Sequence, residues 1–340
     1  MNSGFTDFST VDPHTKLTDR FENQLKVLET IYKKASNENA TVIFGGDLFH
    51  DRTKVDTVTF NNTFRILNKY SNVNKVFLRG NHDSINETMG SPASIDLLDT
   101  LDNSRVASVP QVVNLSSKVK LYCLPYSNNN KLMKDQIRSW ADELDTEKVN
   151  ILIAHLGVDG SKGVGNRVIE GPFKVSDMHS DKFDLVYLGH YHMRQALTDN
   201  MFYGGSTIEN SFSDSGSDKG YDIIDIDEDN LTLKQSFEKS VAPQFLTATN
   251  IDEVKEMVKE GNYVKFTGTK DDKDVLDSLD DLTSNHIRFI RESTSDHKEL
   301  EINEDRIESP LDTVRDYVKS IDSSLLDKSL ECLEQAMRGE

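Results

Sequence analysis

Cysteine is scarce in this 340-residue chain: Cys123 and Cys332 are its two copies, far apart and without a CxxC or CxxH neighbourhood. That excludes a disulfide framework and a zinc ribbon. Long apolar runs are missing as well, and none approaches the roughly 20 residues of a membrane span. With 36% hydrophobic and 29% charged residues the composition is that of a soluble globular protein. The opening MNSGFTDFSTVDPHTK contains neither an apolar signal core nor an Arg-rich amphipathic stretch, so no targeting signal is expected there and the cytoplasm is the expected location. Basic residues are in deficit, 39 against 58 acidic ones, for a net charge of −19. Such a balance argues against a chain that coats nucleic acid unaided, because phosphate binding draws on Lys and Arg. Bound divalent cations or a basic partner would lift the objection.

What the chain does have is a series of short apolar runs rich in β-branched and aromatic residues: TVIFGG at 41–46, KVFLRG at 75–80, VKLYCLPY at 119–126, VNILIAH at 149–155 and FDLVYLGHYH at 183–192. Helix-like segments separate many of them. Thr18 to Ala35 carries Phe21, Leu25, Leu28, Ile31 and Tyr32 as a helical stripe behind an N-cap candidate, and Thr57 to Tyr70 reads as a second helix. Alternation of this kind predicts an α/β sheet covered on both faces. Past residue 200, MFYGGS, YDIIDID and LTLKQSF read as antiparallel pairs finishing the sheet. The length suits a large domain with smaller units. Accordingly the boundaries expected are a main domain at 1–245, an α+β module at 246–298, and a linker with two amphipathic helical stripes at 299–340.

Each strand end carries chemistry. TVIFGG runs into Asp47, KVFLRG into Asn81, His82 and Asp83, VNILIA into His155, and FDLVYLG into His190 and His192. Ligands gather at the carboxyl ends of strands in open α/β sheets. A carboxylate able to bridge, a neutral amide oxygen and several imidazoles suit Mn²⁺, Fe²⁺ or Zn²⁺, with no thiolate to favour softer ions. Taken singly the elements are weak, since GD and HxH are common in turns; GNHD is the strongest, because Asn, His and Asp are costly to gather at a strand end without a function.

In order along the chain, GGDLFHDR, FLRGNHD, ILIAH and LGHYH resemble the second to fifth signature motifs of the calcineurin-like metallophosphoesterases. Within that superfamily the chain resembles the SbcD-type nuclease subunit of the double-strand-break repair machinery, bacteriophage members included; FYGGSTIENSFSD and the following module add to the likeness. The resemblance implies a β-sandwich flanked by helices, with a capping module and C-terminal helices. It implies that Asp47 bridges two metals, Mn²⁺ in this family, with Asn81, His155 and His190 completing one and His192 on the other. His82 would face the scissile phosphate, oriented by Asp83. It further implies a DNA exonuclease and endonuclease working by a two-metal mechanism, an SbcC-type ATPase partner docked on the closing helices, and a homodimer formed near SPASIDLLDTL at 91–101. For a phage protein the location would be the host cytoplasm.

One family motif has no counterpart. The family opens with an apolar strand ending in D-x-H, and here Asp12-Pro13-His14 has the spacing but no apolar run before it, with Pro poorly suited to a central strand. Either the chain is an incomplete version of a longer protein or it is a variant with a degraded first metal site. In both cases one tight and one weak metal position are expected, and a sheet neighbour left without its partner. Two other functions compete: a metallophosphatase or phosphodiesterase for small substrates, which the acidic charge suits, and a non-catalytic scaffold, which the absent motif suits.

Overall fold

The computed structural model describes residues 1–163, 167–278 and 284–292, with scattered helical positions at 318, 326, 328–330 and 333. Met1–Glu292 form one compact unit. The expected linker and closing helices, and with them the docking segment for an ATPase, lie outside the described residues.

Two β layers stack between helices. One layer is a six-stranded sheet in the order β10-β11-β9-β6-β5-β4, comprising β4 (Gln111–Asn114), β5 (Val119–Leu124), β6 (Val149–His155), β9 (Leu185–Gly189), β10 (Gln195–Thr198) and β11 (Met201–Tyr203). Every residue of β6 is buried, as its unbroken apolar run requires. The other layer contains β1 (Val42–Phe44), β2 (Lys75–Leu78) and β3 (Ser104–Ala107), paired in parallel, and the antiparallel hairpin of β12 (Gly220–Asp227) with β13 (Thr232–Lys239). Both parts of this second layer pack on the same face of the six-stranded sheet. Ile43, Val76 and Leu78 share a core with Ile224, Ile226 and Leu233, against Leu121, Cys123, Ile151, Ile153, Leu185 and Phe202. Period-two alternation explains this: Tyr122, Leu152, Ala154, Val186 and Leu188 point the other way, onto α3 (Asn130–Asp142) through Met133, Ile137 and Trp140. A short ribbon, β7 (Ser161–Lys162) with β8 (Val168–Ile169), lies in the connection after β6.

Outside the second layer lie α1 (Asp19–Glu38) and α2 (Thr57–Lys69), packed on Phe44 and Phe77. Thr18 caps α1 by accepting from the Phe21 N–H, and Asp56 caps α2 by accepting from the Thr59 N–H. After the hairpin, β14 (Phe245–Ala248), α4 (Ile251–Lys259), β15 (Tyr263–Gly268), α5 (Lys270–Asp277) and β16 (Ile287–Arg291) form a βαβαβ unit whose three strands are all parallel.

One expectation needs correction. MFYGGS is not part of an antiparallel finish alone: β11 pairs in parallel with β9, and the hairpin β12-β13 is a separate ladder in the opposite layer. SPASIDLLDTL holds one 3₁₀ segment, Asp96–Thr100, which turns Ile95 and Leu98 into the core and leaves Leu97 54% exposed. Asp12-Pro13-His14 is an exposed Asx turn, in which Asp12 Oδ1 accepts the N–H groups of His14 and Thr15 at 2.7 and 2.8 Å. It is no replacement for a ligand strand.

Candidate metal centre

The carboxyl ends of β1, β2, β6 and β9 meet at one edge, and their loops carry Asp47, Asn81 to Asp83, His155 and His190. Asp47, His155 and His190 offer ligand atoms that all lie within 4.8 Å of one another. Asn81 sits among them. Its Oδ1 is 3.0 Å from His155 Nε2 and 3.0 Å from His190 Nδ1, and Asp47 Oδ2 is 3.2 Å from His155 Nε2.

The protonation logic of this cluster points to a cation. His155 Nδ1 lies 2.8 Å from the Gly45 carbonyl, to which it donates its proton, so the neutral ring turns an Nε2 lone pair toward Asn81 Oδ1 and Asp47 Oδ2. Burial pushes His190 down to about 4, aided by the neighbouring His155, so its ring is neutral and one of its nitrogens keeps a lone pair. Acceptors facing acceptors at 3 Å are stable only with a proton or a cation between them. Without a metal the proton is the answer: burial opposes a charge on His155, yet the Asp47 carboxylate raises its pKa, and the His155 imidazole in turn holds Asp47 far below the carboxylate range against its own burial. The same four atoms could hold a divalent ion.

The backbone is bent to this purpose. Asp47 and His190 have φ of +59° and +102°, in the left-handed region that ordinary residues avoid, and Gly46 precedes Asp47 at +104°. A Cβ on Gly46 would collide with the His155 ring, and one on Gly80 with the Asp47 carboxylate. Close approach requires glycine at both positions, and at Gly46 the positive φ requires it as well.

His82 lies beside the cluster, its backbone N–H donating to Asp47 Oδ1 at 2.8 Å. Its ring is held by the His50 carbonyl, 2.6 Å from Nδ1, and stacks on the His50 ring at 5.5 Å between centroids. Nε2 is left uncommitted among the described residues. Here the sequence-based role of Asp83 needs revision. Its carboxylate does not orient the His82 ring; it is fully buried and accepts the backbone N–H groups of Asp47, Gly80 and Phe49 at 2.8, 2.9 and 3.1 Å. Burial and the charge of Asp47 push Asp83 up to about 6, even though those donors favour its ionised form. Asp83 therefore ties the loop after β1 to the loop after β2.

His192 stands apart from the three-residue cluster. Its side chain is 54% exposed, and Nδ1 lies 3.3 Å from Oδ1 of the buried Asp214. Lys219 steadies this corner, its Nζ 3.6 Å from Asp214 Oδ1 and donating to the His192 carbonyl at 2.8 Å.

Sequence reasoning missed the supports. Arg79 is completely buried and donates to the Ser84 hydroxyl and to the carbonyls of Thr88 and Tyr126, bracing the turn that carries Asn81 and His82. Tyr126 lies on His190, with ring centroids 6.0 Å apart. A signal for Arg79 existed: it is a guanidinium at the end of the apolar run KVFL. His50 and Asp214 lie within GGDLFHDR and FYGGSTIENSFSD, whereas no signal marks Tyr126.

The family model for calcineurin-like phosphoesterases matches residues 12–194, more than half of the chain and all the strand ends just described. The chain belongs to that family. Calcineurin-like phosphoesterases hold divalent metal, and the fold and the cluster of Asp47, His155 and His190 agree with that. Among curated proteins, the SbcD component of the SbcCD nuclease of Staphylococcus epidermidis is 26% identical over 217 residues, covering 58% of this chain and 58% of that protein. The chain thus spans less than two thirds of that relative's length. A solved structure aligns over 64% of this chain and 84% of its own, at 12% identity and a TM-score of 0.31.

Proposed function

We propose that this calcineurin-like phosphoesterase is a metal-dependent phosphodiesterase acting on DNA, an SbcD-type nuclease subunit that uses Mn²⁺ and works with an SbcC-type ATPase in recombination and repair. The observation that carries the chemistry is the convergence of Asp47 Oδ2, Asn81 Oδ1, His155 Nε2 and His190 Nδ1 on one point, with His82 beside it. Divalent cations held there supply an activated water and charge stabilisation at the phosphate. The residues do the rest. Asp47 offers one oxygen to the cluster and the other to the His82 backbone, which sets the distance between ligands and phosphate-facing ring. With its Nδ1 proton committed to the His50 carbonyl, His82 keeps Nε2 free, and when protonated there it donates to a non-bridging oxygen or protonates the leaving oxygen. His192, steadied by Asp214, is assigned to the second cation. That position has fewer ligands among the described residues, so one tight and one weak metal are expected.

DNA as substrate rests on the likeness to the staphylococcal SbcCD component and on the βαβαβ unit that follows the phosphoesterase core. The net charge of −19 favours instead a small phosphate ester as substrate. One assay separates the readings: Mn²⁺-dependent degradation of linear duplex DNA by the purified chain, with Asp47→Ala as the control for contaminating nuclease. Degradation lost in the variant supports the nuclease. Hydrolysis of small esters without DNA cleavage would transfer the function to a phosphatase, and metal binding without either activity would make the chain a scaffold.

A further inference from the structure

After β11 the chain turns back onto the loop that carries His192, and the two segments are in close contact. Gly205 has φ of +76°, and a Cβ there would lie 2.8 Å from Arg194 N and 3.0 Å from the His192 carbonyl oxygen. The Ser206 N–H and Lys219 Nζ donate to that carbonyl at 3.1 and 2.8 Å, which fixes the backbone of His192 from two directions. Further on, a 3₁₀ turn, Phe212–Asp214, is anchored by the Phe212 ring, edge-on to Phe8 and Phe245 at 5.3 and 5.0 Å between centroids. The turn delivers Asp214 to the His192 ring. Asp214 Oδ2 accepts the Asn210 N–H at 2.9 Å, while Oδ1 meets His192 Nδ1 at 3.3 Å and Lys219 Nζ at 3.6 Å.

The two partners differ in exposure. His192 is half in solvent, where water would serve its ring, yet its side-chain partner is a carboxylate that is only 6% exposed. A buried carboxylate is costly unless it is paired, and the equally buried Lys219 offsets its charge. What the ring gains is direction. An ionised carboxylate only accepts, so Nδ1 must carry the imidazole proton and Nε2 must keep the lone pair. That is the reverse of the Nε2–H tautomer an unconstrained histidine prefers. The hydrogen bond of the ring uses Nδ1, so Nε2 stays available, and His192 borders the same cavity as Asp47, His155 and His190.

We propose that Asp214 is a positioning residue for the second cation: it fixes His192 as the Nδ1–H tautomer and so offers Nε2 as the ligand atom, while Lys219 keeps the carboxylate in place. This role rests on the assignment of His192 to the second cation made above. A carboxylate behind a ligating imidazole fixes its orientation and raises its basicity. The first position is served differently, because His155 donates its Nδ1 proton to the neutral Gly45 carbonyl. The position with fewer protein ligands is therefore the one whose imidazole is backed by a charge, and Asp214 bears on that position alone.

Nitrogen NMR shifts of the His192 ring, assigned with His192→Gln, test this in the full chain without metal at a pH where the ring is neutral. Wild type should show a protonated Nδ1 and a bare Nε2. In Asp214→Asn the Nε2–H tautomer should dominate, because an amide oxygen kept on the Asn210 N–H turns the amide NH₂ toward Nδ1. If that variant fails to fold because Lys219 has lost its counter-charge, Asp214→Asn combined with Lys219→Met removes both charges and should show the same tautomer. Lys219→Met alone keeps the carboxylate and should keep the wild-type tautomer. In a calorimetric Mn²⁺ titration, Asp214→Asn should weaken the lower of two affinities about tenfold or more and leave the higher one unchanged. An Nε2–H tautomer in wild type, a tautomer that follows Lys219→Met instead of Asp214→Asn, or an equal loss of both affinities overturns the proposal. A single bound cation on a wild type with the expected tautomer overturns the two-cation reading, and the metal-facing role of Asp214 with it.

Discussion

Arg79 bears on the centre without being one of its ligands. Among the described residues its guanidinium has no carboxylate partner, and it is spent on carbonyl and hydroxyl oxygens that would otherwise lack this donor inside the protein. Arg79→Met is expected to cost on the order of 3 kcal/mol, because the removed donors leave several buried acceptors unsatisfied. Urea unfolding measures that loss. Gly46→Ala tests the opposite case, a position where nothing polar is lost. The added methyl meets the His155 ring, so the fold should persist while divalent-metal affinity, measured by calorimetry, falls about tenfold or more. Of the residues named from sequence, Asp47, Asn81, His155 and His190 come together in space, His82 stands beside them, and His192 is offset toward Asp214. Asp83 turned out to hold backbone rather than a ring. A sequence cannot separate these two roles, because a carboxylate beside a histidine reads alike whether it faces an imidazole or three amides.

At the scale of elements, caps and alternation explain most of what was legible. Asp56 closes α2 by accepting from the Thr59 N–H and hydroxyl and from the Ser3 hydroxyl, and Asp56→Ala should cost about 1 kcal/mol. Burial opposes the charge on Asp56, yet these donors hold its pKa below the usual 3.8. A carboxyl depressed in the folded state contributes fully above its unfolded pKa and loses that contribution as pH falls through the folded one. The stability gap between wild type and variant should therefore be constant near neutrality and close below about pH 4. Denaturation midpoints taken across that range check the sign. Strand β5 supplies another outcome. Burial pushes the Cys123 thiol up to about 12, so peptide mapping after iodoacetamide treatment should find it alkylated in urea and unmodified in the native protein. Strands β3 and β4 and the first strand of the βαβαβ unit escaped sequence reading. Each is four residues long, and β3 and β4 are half-exposed, leaving little periodicity to detect.

For the whole unit, Arg20 couples the phosphoesterase layers to the βαβαβ region. Its guanidinium lies over the rings of Phe5, Phe245 and Tyr263 at 4.7, 5.1 and 5.8 Å and donates to the carbonyls of Asp7 and Asn210. His286 adds a link, its Nε2 2.6 Å from Asp19 Oδ2. Arg20→Ala should loosen this junction selectively, with faster hydrogen exchange in β14, β15 and β16 and little change in β5 and β6. A uniform change across all strands would show that the two regions unfold as one.

The sequence by itself determined the family, the buried strands and the identity of the residues at their ends, because a fully covered strand must be an unbroken apolar run and a polar cluster after such a run is conspicuous. It also determined the first two helices, whose caps and stripes are local. Only the tertiary structure decided which imidazole nitrogen faces the cluster, that Asp83 pins two loops, and that Arg79 braces the turn. These depend on groups brought together from distant parts of the chain, and contacts of that range leave no period or spacing in one sequence.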